Sequence, residues 1–155
     1  MQKLSAGILV YRFIEKELQV LLVHPGGPFY KNKDIGVWSI PKGEYLQGDD
    51  PLEAAKREFT EETGNEITAE SFIPMDALKI KSGKIILAWA VQNNFEKAFI
   101  KSNLFEMEWP PKSGRNQMFE EVDKAEWFAL EVAKEKINGG QIALIEQLEK
   151  RVDML

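Results

Sequence analysis

The chain has 155 residues, 44% of them hydrophobic and 29% charged, a composition typical of one globular domain over residues 1–155. It contains no cysteine, which excludes disulfides, thiolate metal sites and a cysteine nucleophile. The longest apolar run, Ile85 to Val91, is too short to span a bilayer, and the net charge of −5 argues against nucleic acid as a partner.

The first segment of the chain is predicted to form a β-hairpin. Residues 4–13 and 17–24 are apolar and rich in β-forming residues, and a short polar turn separates them. Arg12 interrupts the first apolar run, so we predict a strand there instead of a signal peptide, and a cytoplasmic protein. A short strand over 37–40 then leads to a loop that begins at Pro41.

A helix is predicted to follow this loop, because the sequence carries signals for both of its ends. Asp50 is a good N-cap, and Pro51 fits the first helical turn, where its missing N–H costs nothing. Gly64 supplies a left-handed stop at the other end.

Three carboxylates share one face of this helix. Glu58, Glu61 and Glu62 are spaced i, i+3 and i+4, so their charges repel one another unless something offsets them. Carboxylate oxygens suit a hard divalent cation such as Mg²⁺ or Mn²⁺. The alternative is a solvated acidic face. However, residues 44–70 carry a net charge of −7 in a chain of −5, so the negative charge is concentrated at one place.

The second half of the chain alternates strands with helices. Strands are predicted over 72–80, 84–91, 105–109 and 125–129, and helices over 130–137 and 141–152. Residues 92–104 are polar and ambiguous, and 110–115 is predicted as a loop. This interleaving favours an α/β (α+β) fold in which helices cover both faces of a sheet.

The stretch 43–64 resembles the Nudix box, G-x5-E-x7-R-E-U-x-E-E-x-G-U, in which U is apolar. The matching residues are Gly43, Arg57, Glu58, Phe59, Glu61, Glu62 and Gly64. Two positions depart from the pattern, because Asp49 stands where the family has Glu and Asn65 where it has an apolar residue. Asp49 is one methylene shorter than Glu, so either it reaches a metal through water or it serves only the helix start.

The resemblance implies a Nudix-type αβα sandwich with a mixed sheet. It also implies an Mg²⁺- or Mn²⁺-dependent pyrophosphohydrolase that cleaves a nucleoside diphosphate joined to another group, by attack of a metal-bound water on phosphorus. The segment Trp38 to Gly43 resembles diadenosine-polyphosphate hydrolases. Residues 23–28 and 108–111 are similar to bacterial nucleoside-triphosphate pyrophosphohydrolases. Nucleoside triphosphates and dinucleoside polyphosphates are therefore the expected substrates.

The resemblance also assigns roles to particular residues. Glu58, Glu61, Glu62 and the carbonyl of Lys42 would hold the metal, and Arg57 would orient a carboxylate. The general base would be either Glu58 or a carboxylate on a later loop. The candidates there are Glu120 and Glu121, and we prefer Glu121 as base or outlying metal ligand.

The phosphates of a substrate need positive groups, and its nucleobase needs a flat apolar wall. The candidate cations are Lys42, Lys79, Lys81, Lys84, Lys112 and Arg115, of which we select Lys42, Lys81 and Arg115. The candidate aromatic residues are Phe29, Tyr30, Trp38 and Trp109, with Trp38 better explained as core. His24, the only histidine, is expected to be structural.

Other functions stay open at this point. An ADP-ribose pyrophosphatase and an RNA 5′-end pyrophosphohydrolase have the same box, and a non-catalytic nucleotide-binding Nudix module is an alternative of another class. Nudix isomerases resemble one another in a catalytic cysteine, which this chain lacks. We expect a monomer or a homodimer.

Overall fold

A computed structural model describes residues 3–153, which form nine strands and three helices. The strands are β1 (Leu4–Ile14), β2 (Glu17–Pro25), β3 (Lys42–Glu44), β4 (Ile73–Pro74), β5 (Leu78–Lys79), β6 (Ile85–Gln92), β7 (Leu104–Glu108), β8 (Asn116–Glu120) and β9 (Val122–Ala129). The helices are α1 (Pro51–Thr63), α2 (Leu130–Lys136) and α3 (Ile142–Asp153), and a 3₁₀ turn at Gly139–Gln141 lies between the last two.

The main sheet is mixed. Its central strands lie in the order β4, β6, β1, β2, β9, while β3 pairs with β1 and β5 pairs with β6. Strands β1 and β6 run parallel from Leu4 opposite Ile85 to Tyr11 opposite Gln92, and the other strand pairs are antiparallel. Strands β7 and β8 form a separate two-stranded sheet.

Helices cover both faces of the main sheet, because successive side chains of a strand point to opposite faces. In β1, Ile8 packs on the side of α1, together with Phe59 of that helix. Its neighbour Leu9 packs on the opposite side, together with Leu144 and Leu148 of α3. Complete burial of a side chain of this size stabilises a fold by about 1.5–3 kcal/mol. The predicted αβα sandwich with a mixed sheet is confirmed.

The predicted hairpin of β1 and β2 is confirmed, but two other predicted strands are wrong. Residues 37–40 form only isolated bridges, from Ser39 to Val23 and from Trp38 to Ile137, and a regular strand begins at Lys42.

The single strand predicted over 72–80 is interrupted. Two short strands, β4 and β5, pair with β6 instead, and Met75 to Ala77 lie between them. Pro74 has no N–H to donate to the ladder, and the N–H of Asp76 donates to the side chain of Gln147 at 2.9 Å instead.

The strand predicted over 105–109 exists as β7, but its partner β8 was not predicted. Cross-strand contact of Phe105 with Phe119, whose ring centroids lie 6.1 Å apart, holds this hairpin together.

Candidate active site

Helix α1 begins and ends as its sequence predicts. The Asp50 carboxylate accepts a hydrogen bond from the N–H of Leu52 at 3.0 Å. At the other end Gly64 has φ of 81°, and its N–H donates to the carbonyl of Thr60 at 2.8 Å. The two caps fix which residues of the helix face the sheet and which face the neighbouring loop.

The three carboxylates of α1 are buried to different depths. The side chains of Glu58 and Glu61 are 14% and 35% exposed, and Glu62 is 7% exposed. Burial, and then repulsion from Glu61, raise the pKa of Glu58. Burial raises the pKa of Glu62 to about 9, with further contributions from Glu58 and Glu121. These carboxylates therefore form one electrostatically coupled group.

Arg57 lies between two of these carboxylates. Its Nη2 is 3.6 Å from Oε1 of Glu58, and its Nε is 3.9 Å from Oε1 of Glu61. Half of its side chain is exposed, so these ion pairs serve more to orient the carboxylates than to stabilise the fold.

The loop before α1 comes into direct contact with the carboxylates. A Cβ atom at Gly43 would lie within 2.6 Å of every atom of the Glu58 carboxyl group, so only glycine fits there. The adjacent backbone N–H of Lys42 lies near enough to the Glu62 carboxylate to oppose the rise of its pKa. The predicted close approach of this loop to the acidic helix is thus present in the structure.

A fourth carboxylate, Glu121, is held near α1 by a chain of backbone hydrogen bonds. The N–H of Gly26 donates to the carbonyl of Glu121, whose own N–H donates to the carbonyl of Asn103, each at 2.8 Å. The N–H of Asn103 in turn donates to the carbonyl of Glu61 in α1, also at 2.8 Å. Burial and the charge of Glu61 raise the pKa of Glu121. The structure therefore brings Glu121 to the α1 carboxylates.

A pocket of about 250 Å³ opens between these elements. Its lining residues are Val23, Pro25, Ser39, Lys42, Glu62, Glu121 and Val122. Lys42 is the cation of this lining, and burial followed by repulsion from Lys84 lowers its pKa. The pocket thus combines two carboxylates with an ammonium group.

The other two predicted cations lie elsewhere. Lys81 is exposed in the turn after β5, and Arg115 is exposed in the loop between β7 and β8, and neither lines the pocket. Strand alternation does not place Lys79 and Lys81 on one face, since β5 ends at Lys79. Lys84 is the cation whose charge lowers the pKa of Lys42, and it lies 3.6 Å from Glu44.

Two residues with uncertain roles in the sequence have clear structural partners. The Asp49 carboxylate accepts a hydrogen bond from the N–H of Leu46 at 3.3 Å and so closes a turn in the loop before α1. The His24 ring is 1% exposed, and its nitrogens lie 2.7 Å from Oδ1 of Asp123 and 2.7 Å from the carbonyl oxygen of Lys33. Both of its nitrogens are occupied, which agrees with a structural role.

The predicted aromatic residues divide into core and surface. Trp38 is 1% exposed and belongs to the core, as expected. Phe29 is 56% exposed and meets Trp109 edge to face, with ring centroids 5.3 Å apart. Phe29 follows Pro25 of the pocket by four residues and so lies on the loop that leaves the pocket, whereas Trp109 follows β7.

Long-range contacts supply the site residues that sequence reasoning missed. Gly26, Ser39 and Asn103 each contribute through their backbone or through the pocket wall. Gly26 did carry a signal in the sequence, because it belongs to a glycine pair between two prolines. In the structure a Cβ at Gly26 would lie 2.9 Å from the carbonyl carbon of Glu120. A glycine pair between two prolines exceeds what a simple turn needs, and it can mark such a close approach.

The donor set fits a divalent cation. Within residues 3–153 no three acidic or histidine side chains converge as closely as in a finished metal cage. Nevertheless burial raises the pKa values of Glu58, Glu62 and Glu121, and repulsion from a neighbouring carboxylate raises each of them further. Hard oxygen donors with uncompensated charge are the ligands that Mg²⁺ and Mn²⁺ select.

The family model of the NUDIX domain matches residues 1–148 of the chain. The chain belongs to the Nudix family. This membership confirms the predicted resemblance and supports the predicted class of enzyme, a hydrolase of phosphoric anhydrides. No curated protein matches the sequence.

Solved structures share the fold of this Nudix protein. The Nudix domain of Shewanella oneidensis NrtR, cocrystallised with ADP ribose, has a TM-score of 0.68 at 17% identity, over 98% of this chain and 89% of that one. A binary complex of a C. elegans Ap4A hydrolase has a TM-score of 0.67 at 20% identity, over 97% and 99% of the two chains. A mutT/nudix family protein from Listeria innocua has a TM-score of 0.66 at 15% identity, over 98% and 94%.

Helices of the described chain, residues 3–153, are all too short or too polar to cross a membrane.

Proposed function

We propose that this Nudix protein is an Mg²⁺-dependent pyrophosphohydrolase. Its substrate is a nucleoside diphosphate joined to a second group, with nucleoside triphosphates and dinucleoside polyphosphates preferred. One observation carries the proposal, namely the meeting of Glu62, Glu121 and Lys42 in one pocket beside Glu58. Polyphosphate cleavage needs such a mixture of metal-binding carboxylates and a phosphate-facing cation.

The carboxylates of Glu58, Glu61, Glu62 and Glu121, with the carbonyl of Lys42, would hold the metal. A divalent cation bound there neutralises phosphate charge, acidifies water and fixes the direction of attack on phosphorus. The ammonium group of Lys42 is the side-chain cation of the pocket that would contact a phosphate oxygen. Burial and then the charge of Lys84 lower its pKa.

Two carboxylates are candidates for the general base that accepts the proton of the attacking water. Glu58 and Glu121 both have raised pKa values, which bring a carboxylate closer to the range in which it can accept and return a proton at neutral pH. Arg57 lies on Glu58 and Glu61 and would keep their oxygens oriented.

The pair of Phe29 and Trp109 is the proposed contact for the nucleobase. An exposed aromatic face beside the loop that leaves the pocket suits stacking of a heterocycle. We expect Phe29→Ala to raise KM with little change in kcat, since stacking on a distant base is made equally in the ground and transition states. Phe13→Ala, a substitution of an exposed aromatic on β1, is the control.

ADP-ribose is the second candidate substrate. The similarity to a Nudix domain cocrystallised with ADP ribose favours it, and the chemistry of the pocket suits its diphosphate link equally. Nucleic acid as a partner is disfavoured by the net charge of −5.

A substrate panel with product identification tests the proposal. Nucleoside triphosphates, diadenosine polyphosphates, ADP-ribose and triphosphorylated RNA are each incubated with enzyme and Mg²⁺ or Mn²⁺, and the products are separated by chromatography. We expect metal-dependent cleavage of a diphosphate link, and its loss in Glu61→Gln and Glu62→Gln with the fold retained. Glu53→Gln, an exposed carboxylate of the same helix, is the matched control. Undiminished turnover in the Glu61, Glu62 double variant would refute the site.

A further inference from the structure

The side chain of Gln141 connects the C-terminal part of the chain to the segment that enters the active site. Gln141 is 4% exposed and lies in the 3₁₀ turn before α3. Its Oε1 accepts a hydrogen bond from the buried N–H of Ile40 at 3.1 Å, and its Nε2 donates to Oγ of Ser39 at 3.1 Å. A buried amide that is satisfied in this way fixes the position of both partners.

The segment held by Gln141 leads within two residues to the carboxylates. Ser39 lines the pocket, and the carbonyl of Pro41 accepts a hydrogen bond from Ile8 at 3.1 Å. The next residue, Lys42, lines the same pocket as Glu62, and Gly43 after it has no room for a side chain beside Glu58. A shift at Ile40 would therefore be transmitted to the contacts that orient two carboxylates.

No regular strand holds this segment, which makes the Gln141 contacts important. Residues 37–40 form only isolated bridges, so Ile40 has no ladder to fix its N–H. Without an acceptor, that buried N–H would lose a hydrogen bond and would favour a displaced segment.

We propose that Gln141 is a positioning residue for catalysis, which sets the place of Lys42 against Glu62 by binding Ser39 and Ile40. The proposal rests on the proposed function, because it concerns the same site. Gln141 touches neither substrate nor reacting atoms, and it acts through the backbone of residues 39–42.

The chain offers a matched control in Gln147 of α3. Its Oε1 accepts the N–H of Asp76 at 2.9 Å, so it makes the same kind of bond to a loop that does not line the pocket. Gln141→Leu and Gln147→Leu each remove one such acceptor. A purely structural role would lower the thermal stability of both variants and leave the metal requirement of both unchanged.

The experiment compares both variants with the wild type. In Gln141→Leu we expect amide hydrogen exchange at Ile40 and Lys42 to be about tenfold faster, as for the loss of roughly one hydrogen bond. We also expect weaker Mn²⁺ binding by calorimetry and about a tenfold higher Mg²⁺ concentration for half-maximal rate, with the nucleotide KM unchanged. Gln147→Leu should match the wild type in all of these measurements.

Gln141→Glu keeps an acceptor oxygen for the N–H of Ile40, so its changes should be smaller and in the same direction. This variant also provides the test if Gln141→Leu does not fold. Wild-type exchange and metal binding in the Gln141 variants, or equal changes in Gln147→Leu, would overturn the proposal. If the wild type hydrolyses no substrate of the panel, the proposed function fails. Amide exchange and Mn²⁺ titration still decide the role of Gln141 in that case.

Discussion

Substitution of Gly43 by alanine perturbs the contact between the loop and the acidic helix with a single added methyl group. The new Cβ would lie within 2.6 Å of the whole Glu58 carboxyl group, whereas ordinary van der Waals contacts are 3.4–4 Å. The overlap thus approaches or exceeds one ångström. The backbone of Gly43 is outside the left-handed region, so alanine can adopt its conformation and the perturbation is steric.

The Glu58 carboxyl group, at the end of a flexible side chain, is the part that will move. Overpacking costs about 1–3 kcal/mol, and the smaller entropy of the unfolded chain offsets about 0.4–1 kcal/mol of it. We therefore expect a loss of about 1–2 kcal/mol in the free energy of unfolding. Activity should fall far more, by about 100-fold, because a catalytic group is displaced by roughly 1 Å.

Urea unfolding and steady-state hydrolysis of the best panel substrate measure the two effects. Gly139→Ala is the control, since a Cβ there meets no atom within 4 Å. In the Gly43→Ala, Glu58→Ala double variant the clash is absent, so stability should recover while activity does not. Wild-type activity in Gly43→Ala would refute this account of the loop contact.

Three further predictions follow from the raised pKa values and the close contacts. Burial raises the pKa of Glu62 to about 9, so the folded state retains a proton that the unfolded chain releases above its ordinary value of 4.5. In chelator, the contribution of Glu62 to the free energy of unfolding should therefore be complete below its ordinary pKa and be lost as the pH rises toward about 9, and Glu62→Gln should remove this contribution in urea titrations. Gly26→Ala places a Cβ 2.9 Å from the carbonyl carbon of Glu120, where rigid backbone must move, so we expect about 3 kcal/mol of destabilisation by calorimetry. An unchanged Tm would contradict that contact. Glu121→Gln should retain the fold and lower kcat by about 10²–10⁴ if Glu121 is the base, whereas Glu120→Gln serves as control and should stay active. Equal rates in these two variants would exclude Glu121 from the chemistry.

Local signals in the sequence predicted the part of the site that lies on one helix. Asp50 and Gly64 act within one turn of their own positions, so their capping could be read directly. The spacing of Glu58, Glu61 and Glu62 is likewise a local property of helical periodicity. Membership of the Nudix family then confirmed the fold class that these elements and their interleaving had predicted.

Contacts between distant parts of the chain could not be predicted in this way. Glu121 was selected as a later carboxylate by resemblance to the family, but the hydrogen bonds that bring it to α1 run through Gly26 and Asn103. Lys81 was selected and Lys84 was only a candidate, yet Lys84 is the cation whose charge acts on Lys42, and β5 ends before Lys81. Gln141 contacts a segment 101 positions earlier in the chain, and no periodicity indicates such a pair.

The burial of the only histidine has a practical consequence for solution studies. His24 immediately precedes Pro25 of the pocket, and its ring is fixed by Asp123 and the carbonyl of Lys33. The imidazole protons of one such ring give a single, easily assigned set of NMR signals. Its neighbours in β2, Val23 and Pro25, line the pocket, so addition of a nucleotide to unlabelled protein can be followed through one natural reporter group on that strand.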